Sequence, residues 1–507
     1  MKTTQLQQGF TRALSEKPFS RREFIAALAL GTAACSSKST PPEFSEKLSP
    51  GEWRQSFDGR VVTQTDSQYE EWRQAMPWQM WTANRHPLLI ARPNTRTAAV
   101  EVVKFARQHQ LQVAIKSGGH NVSEAFLRDN GILLDLGELQ GIEVDAASGT
   151  AWVEPALWSH LLIEETEKYN LAFPVAHCAT VPMGGYLLGG GVGLNGDEWG
   201  SIACHSILAA EVILADGQIL TVSQEQHPDI YWAVRGAGTG FFGVVTRFKL
   251  QLYPLPSHIY ESMYFFPLPA IQEANQFLSE IAASGIAKTE LMMLMAHNLM
   301  APPDAPPEAQ KVCVARIVTF ADSQEEADQL NQQSSNHPLL VHAQFKQEML
   351  PSSFQTMAAA SVNASAGLGF GRYAVDTVWT NRNADSLGAI SKLFTQSPSH
   401  GNHIVVSYKI NPKLRDDSAF SMIGNTFIGA YAVWRDAKDD AAQFAWTAET
   451  GKALQEFSEG QYINEVNGFS DPAAIERCYS PEAWTRLRKL RKKYDPESLI
   501  HDYHGLS

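Results

Sequence analysis

Lys116-Ser117-Gly118-Gly119-His120-Asn121 and, further along, Met183-Gly184-Gly185-Tyr186-Leu187-Leu188-Gly189-Gly190-Gly191-Val192-Gly193 are the two stretches on which the fold turns. Runs of glycine let backbone N–H groups approach a pyrophosphate closely, because no Cβ stands in the way. A third glycine-rich stretch, Gly236-Ala237-Gly238-Thr239-Gly240, looks superficially like a dinucleotide fingerprint. Phe241 occupies its third required glycine position, and a helix-like run, Asp229 to Arg235, precedes it in place of a strand, which disfavours a Rossmann site. The chain contains neither a GxxxxGK[ST] phosphate loop nor an HExxH zinc helix, so simple nucleotide hydrolases and zinc proteases are excluded and no metal is expected.

The chain around these motifs has 507 residues, 44% hydrophobic and 19% charged, enough to bury the cores of several domains. Its net charge of −13 repels phosphate backbones, which argues against nucleic acid as a partner. Five cysteines are too few for a disulfide scaffold; Cys204, Cys313 and Cys478 read as buried thiols.

Ala99, Val102, Val103 and Ala106 form the apolar stripe of a helix, and Leu111–Ile115 alternates as a strand. Gly131–Leu136 is a second apolar strand. Ile142–Asp145 and Thr150–Glu154 pair across Ser148-Gly149, and Glu211–Ala215 and Gln218–Val222 flank Asp216-Gly217, the signal of a type I′ hairpin. The texture changes after Tyr253-Pro254-Leu255-Pro256: helices over Ala270–Ala283 and Ser323–Gln333 lie among strand-like segments Arg372–Trp379 and His403–Tyr408. A basic helix, Trp484–Lys493, closes the chain.

Taken in order, the Ser-Gly-Gly-His loop, Cys178 before the second glycine cluster, Arg92-Pro93, Arg235-Gly236, Gly243-Val244-Val245-Thr246, Tyr462-Ile463-Asn464 and Lys493-Tyr494-Asp495-Pro496 resemble the PCMH-type FAD-binding fold, specifically the berberine-bridge-enzyme-like flavin oxidases. The resemblance implies an α+β architecture. An FAD-binding domain of two α/β subdomains would span residues 81–256 plus 456–507, and a substrate domain, an antiparallel sheet covered by helices, would be inserted over 257–455. Residues 36–80 would be a tether and lead-in.

By itself His120 reads as a satisfied loop histidine, and Cys178 as a small buried hydrophobe. The resemblance assigns them another role: bicovalent attachment of FAD, His120 to the 8α-methyl and Cys178 to C6. It also places Arg92, Lys116, Ser117, Gly118, Gly119, Asn121, Val181, Gly184, Gly185, Gly189, Gly190, Gly191, Gly193, Gly243, Val244, Val245, Tyr462 and Asn464 at the cofactor. Val181 matches the position that admits oxygen to the flavin, which favours an oxidase over a dehydrogenase; its bland reading is a core valine.

Hydride removal from an alcohol carbon requires a base for the hydroxyl proton. Tyr462 matches the family's catalytic tyrosine, with Asn464 bracing it, Gln443 as a polar group facing the flavin from the substrate domain, and Asp376 as a partner of the base. Core packing for Tyr462 and a solvated strand end for Asp376 are the alternatives. Departures from the family pattern lie at Asn195-Gly196-Asp197-Glu198, at Cys204-His205, and at Glu465, where tyrosine is common after the Tyr-Ile-Asn motif.

The favoured substrate is a sugar or oligosaccharide hemiacetal, oxidised to a lactone with O2 as acceptor and H2O2 as product; Trp379 and Trp434 are its potential stacking residues. An amine, alkaloid or secondary-metabolite oxidase is the second reading and would need a closed aromatic or acidic pocket. The third is a non-catalytic envelope lipoprotein. Residues 1–35 read as an address: Ser20-Arg21-Arg22-Glu23-Phe24-Ile25 resembles a twin-arginine export signal, and Thr32-Ala33-Ala34-Cys35 a lipoprotein processing site with Cys35 as the anchor. Export machinery would then deliver a folded, loaded protein to the periplasm or cell envelope.

Overall fold

The computed structural model describes residues 51–299, 301, 302, 304–367, 371–467 and 471–503, without the side chains of 51, 52, 361–367 and 472. The export address and Cys35 lie outside the described residues.

Three of the four sheets among the described residues organise the chain; the fourth is the short pair Leu171–Ala172 and Tyr253–Pro254. The first has four strands in the order Gly59–Thr63, Leu89–Pro93, Ile132–Asp135, Val113–Lys116; the last three run parallel and the first antiparallel to its neighbour. Helix Arg96–Gln108 covers it, capped by the Thr95 side chain, which accepts from the Ala98 amide at 3.2 Å, and buries the whole stripe read from the sequence.

The second sheet is antiparallel, in the order Ile142–Asp145, Thr150–Val153, Gly243–Gln251, Ile207–Leu214, Ile219–Ser223. The hairpin at Asp216-Gly217 forms, but not as type I′. Only Gly217 has a positive φ, +80°, and its amide donates to the Leu214 carbonyl at 2.9 Å, so the turn spans Leu214 to Gly217 with the glycine at its end. A type I′ turn needs both central residues left-handed, and Asp216 is not.

The third sheet has seven antiparallel strands: Phe345–Pro351, His258–Pro267, Lys311–Ala321, Thr289–His297, His403–Tyr408, Thr426–Trp434 and Arg372–Thr380, in that spatial order. Helices Ile271–Ala283, Asn383–Thr395 and Asp440–Gln455 bury one face in a core that includes Leu291, Met293, Ile404, Val406, Ile428 and Ala430. The pleat turns the alternate residues to the opposite face. There Met292, Leu294, Val405, Phe427, Tyr431 and Val433 line a cavity.

The chain end returns to the N-terminal half. Helix Pro481–Tyr494 packs on Pro228–Val234, and the Val113 amide donates to Leu499 O at 2.7 Å while the His501 amide donates to Val113 O at 2.9 Å. Residues near 500 thereby extend the edge of the first sheet beside the Ser-Gly-Gly-His loop. Cys204, Cys313 and Cys478 are buried free thiols.

Candidate active site

A cavity of about 1010 Å³ runs from the first sheet to the open face of the third. The loop after strand Val113–Lys116 and the start of helix Met183–Leu188 form its middle.

The loop is held from behind. Asp135 is fully buried; it receives Lys116 Nζ at 2.9 Å and Arg92 Nε at 2.6 Å, and accepts from the Gly137 amide at 3.1 Å. Burial alone would raise its pKa, but the two cations overcome that and hold it below the usual carboxylate range. Arg92 is thus a brace behind the cavity, its guanidinium over the Trp72 ring, while Lys116 lies on the wall.

Ser117, Gly118, Gly119, His120 and Asn121 all line the cavity. Gly119 needs its glycine: φ is +78°, and a Cβ would sit 2.1 Å from Met76 O. Among the described residues the amides of Gly118, Gly119 and His120 have no acceptor. His120 stacks on Trp78 at 4.5 Å, and its Nε2 lies 3.0 Å from Thr180 Oγ1. Burial pushes its pKa down to about 3, so the imidazole is neutral. Cys178 Sγ lies 3.4 Å from the same hydroxyl. One threonine therefore brings together the two side chains read as attachment points. Trp78, within the stretch read as a lead-in, and Thr180 carry no motif and were not anticipated.

The second glycine cluster divides in two. At Gly185 a Cβ would meet nothing within 4 Å, and this residue lines the cavity with Gly184 and Val181. Gly189, Gly190, Gly191 and Gly193 are buried off the cavity, contrary to their expected cofactor contact. They make room for side chains: a Cβ at Gly189 would lie 2.0 Å from Asn464 Oδ1, at Gly190 2.6 Å from Phe420, and at Gly193 2.2 Å from the Tyr186 hydroxyl. Gly243 and Val245 reach the cavity, whereas Val244, on the opposite side of its strand, packs into the core beneath the first sheet.

Tyr462 and Asn464 both line the cavity. The Tyr462 oxygen accepts from the Gly191 amide at 3.1 Å, the Val192 amide at 3.4 Å and Asn464 Nδ2 at 3.0 Å. These donors favour a phenolate, but burial and the nearby Glu465 carboxylate outweigh them and push the phenol pKa up. The ring is 4% exposed, boxed by Trp379, Phe420 and Phe427.

Asp376 is not beside Tyr462. It points to the helix-covered face, where it accepts from Gln461 Nε2 at 2.9 Å and the Thr377 amide at 3.0 Å; burial raises its pKa to about 6. Gln443 is 1% exposed, off the cavity wall, and accepts from Asn402 Nδ2 at 2.9 Å; Asn402 is the amide that reaches the cavity. Both departures come from the pleat and the helix face, which neighbours in sequence do not reveal. Trp379 (0% exposed) and Trp434 (4%) are core residues, Trp434 donating to Asp440 Oδ1 at 2.6 Å. Neither lines the cavity.

The residues present suit FAD. Orphaned loop amides offer donors to a pyrophosphate, Gly185 leaves backbone open, a neutral imidazole and a free thiol share one corner, and both ring nitrogens of His501, on the cavity wall at its first-sheet end, lack partners.

Residues 87–223 match the family model of the FAD binding domain. The FAD-linked oxidoreductase nodO of Hypoxylon pulicicidum is 28% identical over 426 residues, which cover 82% of this chain and 90% of that protein. This chain is an FAD-linked oxidoreductase of the berberine-bridge-like fold. Among solved structures, 6-hydroxy-D-nicotine oxidase from Arthrobacter nicotinovorans superposes on the oxidoreductase with a TM-score of 0.75 at 22% identity, covering 89% of this chain and 98% of that one. BBE-like 1 from Physcomitrella patens does so with a TM-score of 0.74 at 17% identity, covering 88% and 96%. The α+β fold expected from the motifs is the fold observed.

The third-sheet side of the oxidoreductase's cavity contains polar groups that sequence reading did not assign. Glu465 lines it, and its Oε2 accepts from the Tyr431 hydroxyl at 2.7 Å. The Tyr431 ring stacks on its cross-strand partner His403 at 5.1 Å and 6°. His177, beside Cys178, has its Nε2 2.9 Å from Oε1 of Glu290 on strand Thr289–His297 of the third sheet. Burial would raise Glu290, but His177, Arg316 and Lys409 bring it down to about 2. Glu465 was legible only as a departure from the Tyr-Ile-Asn context; the others had no signal.

Proposed function

We propose that this oxidoreductase is a flavin oxidase that carries FAD on His120 and Cys178 and oxidises a small, largely apolar molecule of the amine or secondary-metabolite class, passing electrons to O2 to give H2O2. One observation carries the reading: on the third-sheet side of the cavity Met292, Leu294, Val405, Phe427 and Val433 line the wall beside Asn402, His403 and Ser407, and Glu465, held by Tyr431, places a carboxylate among them. The two tryptophans that recommended a carbohydrate are core residues and line no part of the cavity.

Bound FAD supplies a two-electron acceptor; the chain supplies everything else. The third-sheet wall orients the substrate through its apolar side chains and Glu465. Tyr462 and Asn464 form a fixed polar post beside Gly191, and Val181 lines the approach next to Cys178. The substrate gives up a hydride from carbon and a proton from nitrogen or oxygen, and both end in H2O2. The twin-arginine-like motif and Cys35 support export of the loaded protein to the cell envelope.

The test has two parts. Acid-precipitated protein should remain yellow, and mass spectrometry should find flavin on the peptides bearing His120 and Cys178. A panel of amines, alcohols and sugars assayed for peroxide should respond most strongly to apolar amines; a response confined to sugars would refute the substrate class.

A further inference from the structure

The geometry points to Glu465 and Tyr431 as the subsite that receives the cationic nitrogen of an amine, within the substrate chamber assigned above and resting on that assignment. Tyr431 donates to one carboxylate oxygen at 2.7 Å and fixes the plane of the group. The other oxygen has no hydrogen-bond partner among the described residues, and the side chain opens on the cavity. Tyr431, Phe427 and Tyr373 line the same chamber, and aromatic rings are the side chains that attract ammonium groups.

The charged and titratable groups around Glu465 leave this role open. Tyr462 and Tyr431 are neutral phenols whose pKa values are pushed up by burial. His403 is held neutral by burial and is stacked on Tyr431. Among the described residues His177 is the basic side chain facing the carboxylate, and its Nε2 already lies 2.9 Å from Glu290 Oε1. Desolvation raises the Glu465 pKa, so a carboxylate here is short of positive charge, and an incoming ammonium supplies it. A neutral alcohol of the same shape offers one hydrogen bond and no charge.

The test uses the flavin-loaded full chain with benzylamine and benzyl alcohol as probes, with binding read by calorimetry. The wild type should bind benzylamine about tenfold or more tighter than benzyl alcohol, as expected for a charge-assisted hydrogen bond. Glu465→Gln should bring that ratio close to one with covalent flavin content unchanged, and Glu465→Asp should keep part of the preference. In the wild type the preference should fade as the pH falls and the carboxylate takes up a proton. An unchanged ratio in Glu465→Gln, a wild type that prefers the alcohol, or no binding of either probe would overturn the assignment. Binding is measured without turnover, so a colourless acid pellet would refute the proposed oxidase while the binding ratio still decides the role of Glu465.

Discussion

The imidazole Nε2 of His120 lies 3.0 Å from the hydroxyl oxygen of Thr180. Because Cys178 Sγ is 3.4 Å from that same oxygen, a histidine from one loop and a cysteine nearly sixty residues later meet at a single point. The proposed attachment of one planar ring at both side chains would require such a convergence, and Thr180 stands between them. His120→Ala and Cys178→Ala should each leave a yellow acid pellet through the remaining link, and the double variant a colourless one. Thr180→Val should lower the covalently bound fraction and Thr180→Ser restore it, as read by absorbance of the precipitated protein.

Val181 follows Cys178 in a turn closed by its amide donating to the Cys178 carbonyl at 3.2 Å, and its side chain lines the cavity. Val181→Leu should slow reoxidation of the reduced protein by O2 while leaving anaerobic reduction by substrate unchanged. Stopped-flow measurement of the two half-reactions separates these; equal slowing of both would show that the residue shapes substrate binding instead.

At Gly189 a side chain is excluded by Asn464, whose Oδ1 would lie 2.0 Å from a new Cβ. Gly189→Ala should therefore push Asn464 off the Tyr462 hydroxyl and cost about 1–3 kcal/mol of stability. Adding Asn464→Ala should recover most of that loss, a coupling measurable by a double-mutant denaturation cycle.

Asp376 gives the fold a pH dependence of definite sign. Its pKa is raised by burial from 3.8 to about 6 in the native state, so the native state holds the proton more tightly than the unfolded chain. Its contribution is fully present below about pH 4 and is lost as the pH rises through about 6, an effect on the order of 3 kcal/mol. Asp376→Asn keeps an acceptor for Gln461 and removes the ionisation. It should raise Tm above pH 7 and leave it unchanged near pH 4 in parallel melts.

The apolar stripe of helix Arg96–Gln108, the strands around it and the hairpin at Asp216-Gly217 could be read directly, because each depends on residues a few positions apart. The hairpin's turn type could not, since it depends on the φ of Asp216, which the dipeptide does not impose. The ordered glycine motifs located the cofactor side for the same local reason: absent Cβ atoms leave a trace in the sequence wherever backbone must be approached. They did not reveal what approaches, and Gly189, Gly190, Gly191 and Gly193 turned out to accommodate Asn464, Phe420 and Tyr186.

The substrate side was decided by tertiary structure alone. Whether Trp434 or Val433 reaches the cavity, and whether Asp376 does, depends on which face of a seven-stranded sheet the helices cover. The pleat alternates side chains with period two, so a step of one residue exchanges cavity for core. Local sequence determined this protein's strands, helices and flavin loop. Long-range packing determined which face stayed open, and with it which side chains of the third sheet line the cavity.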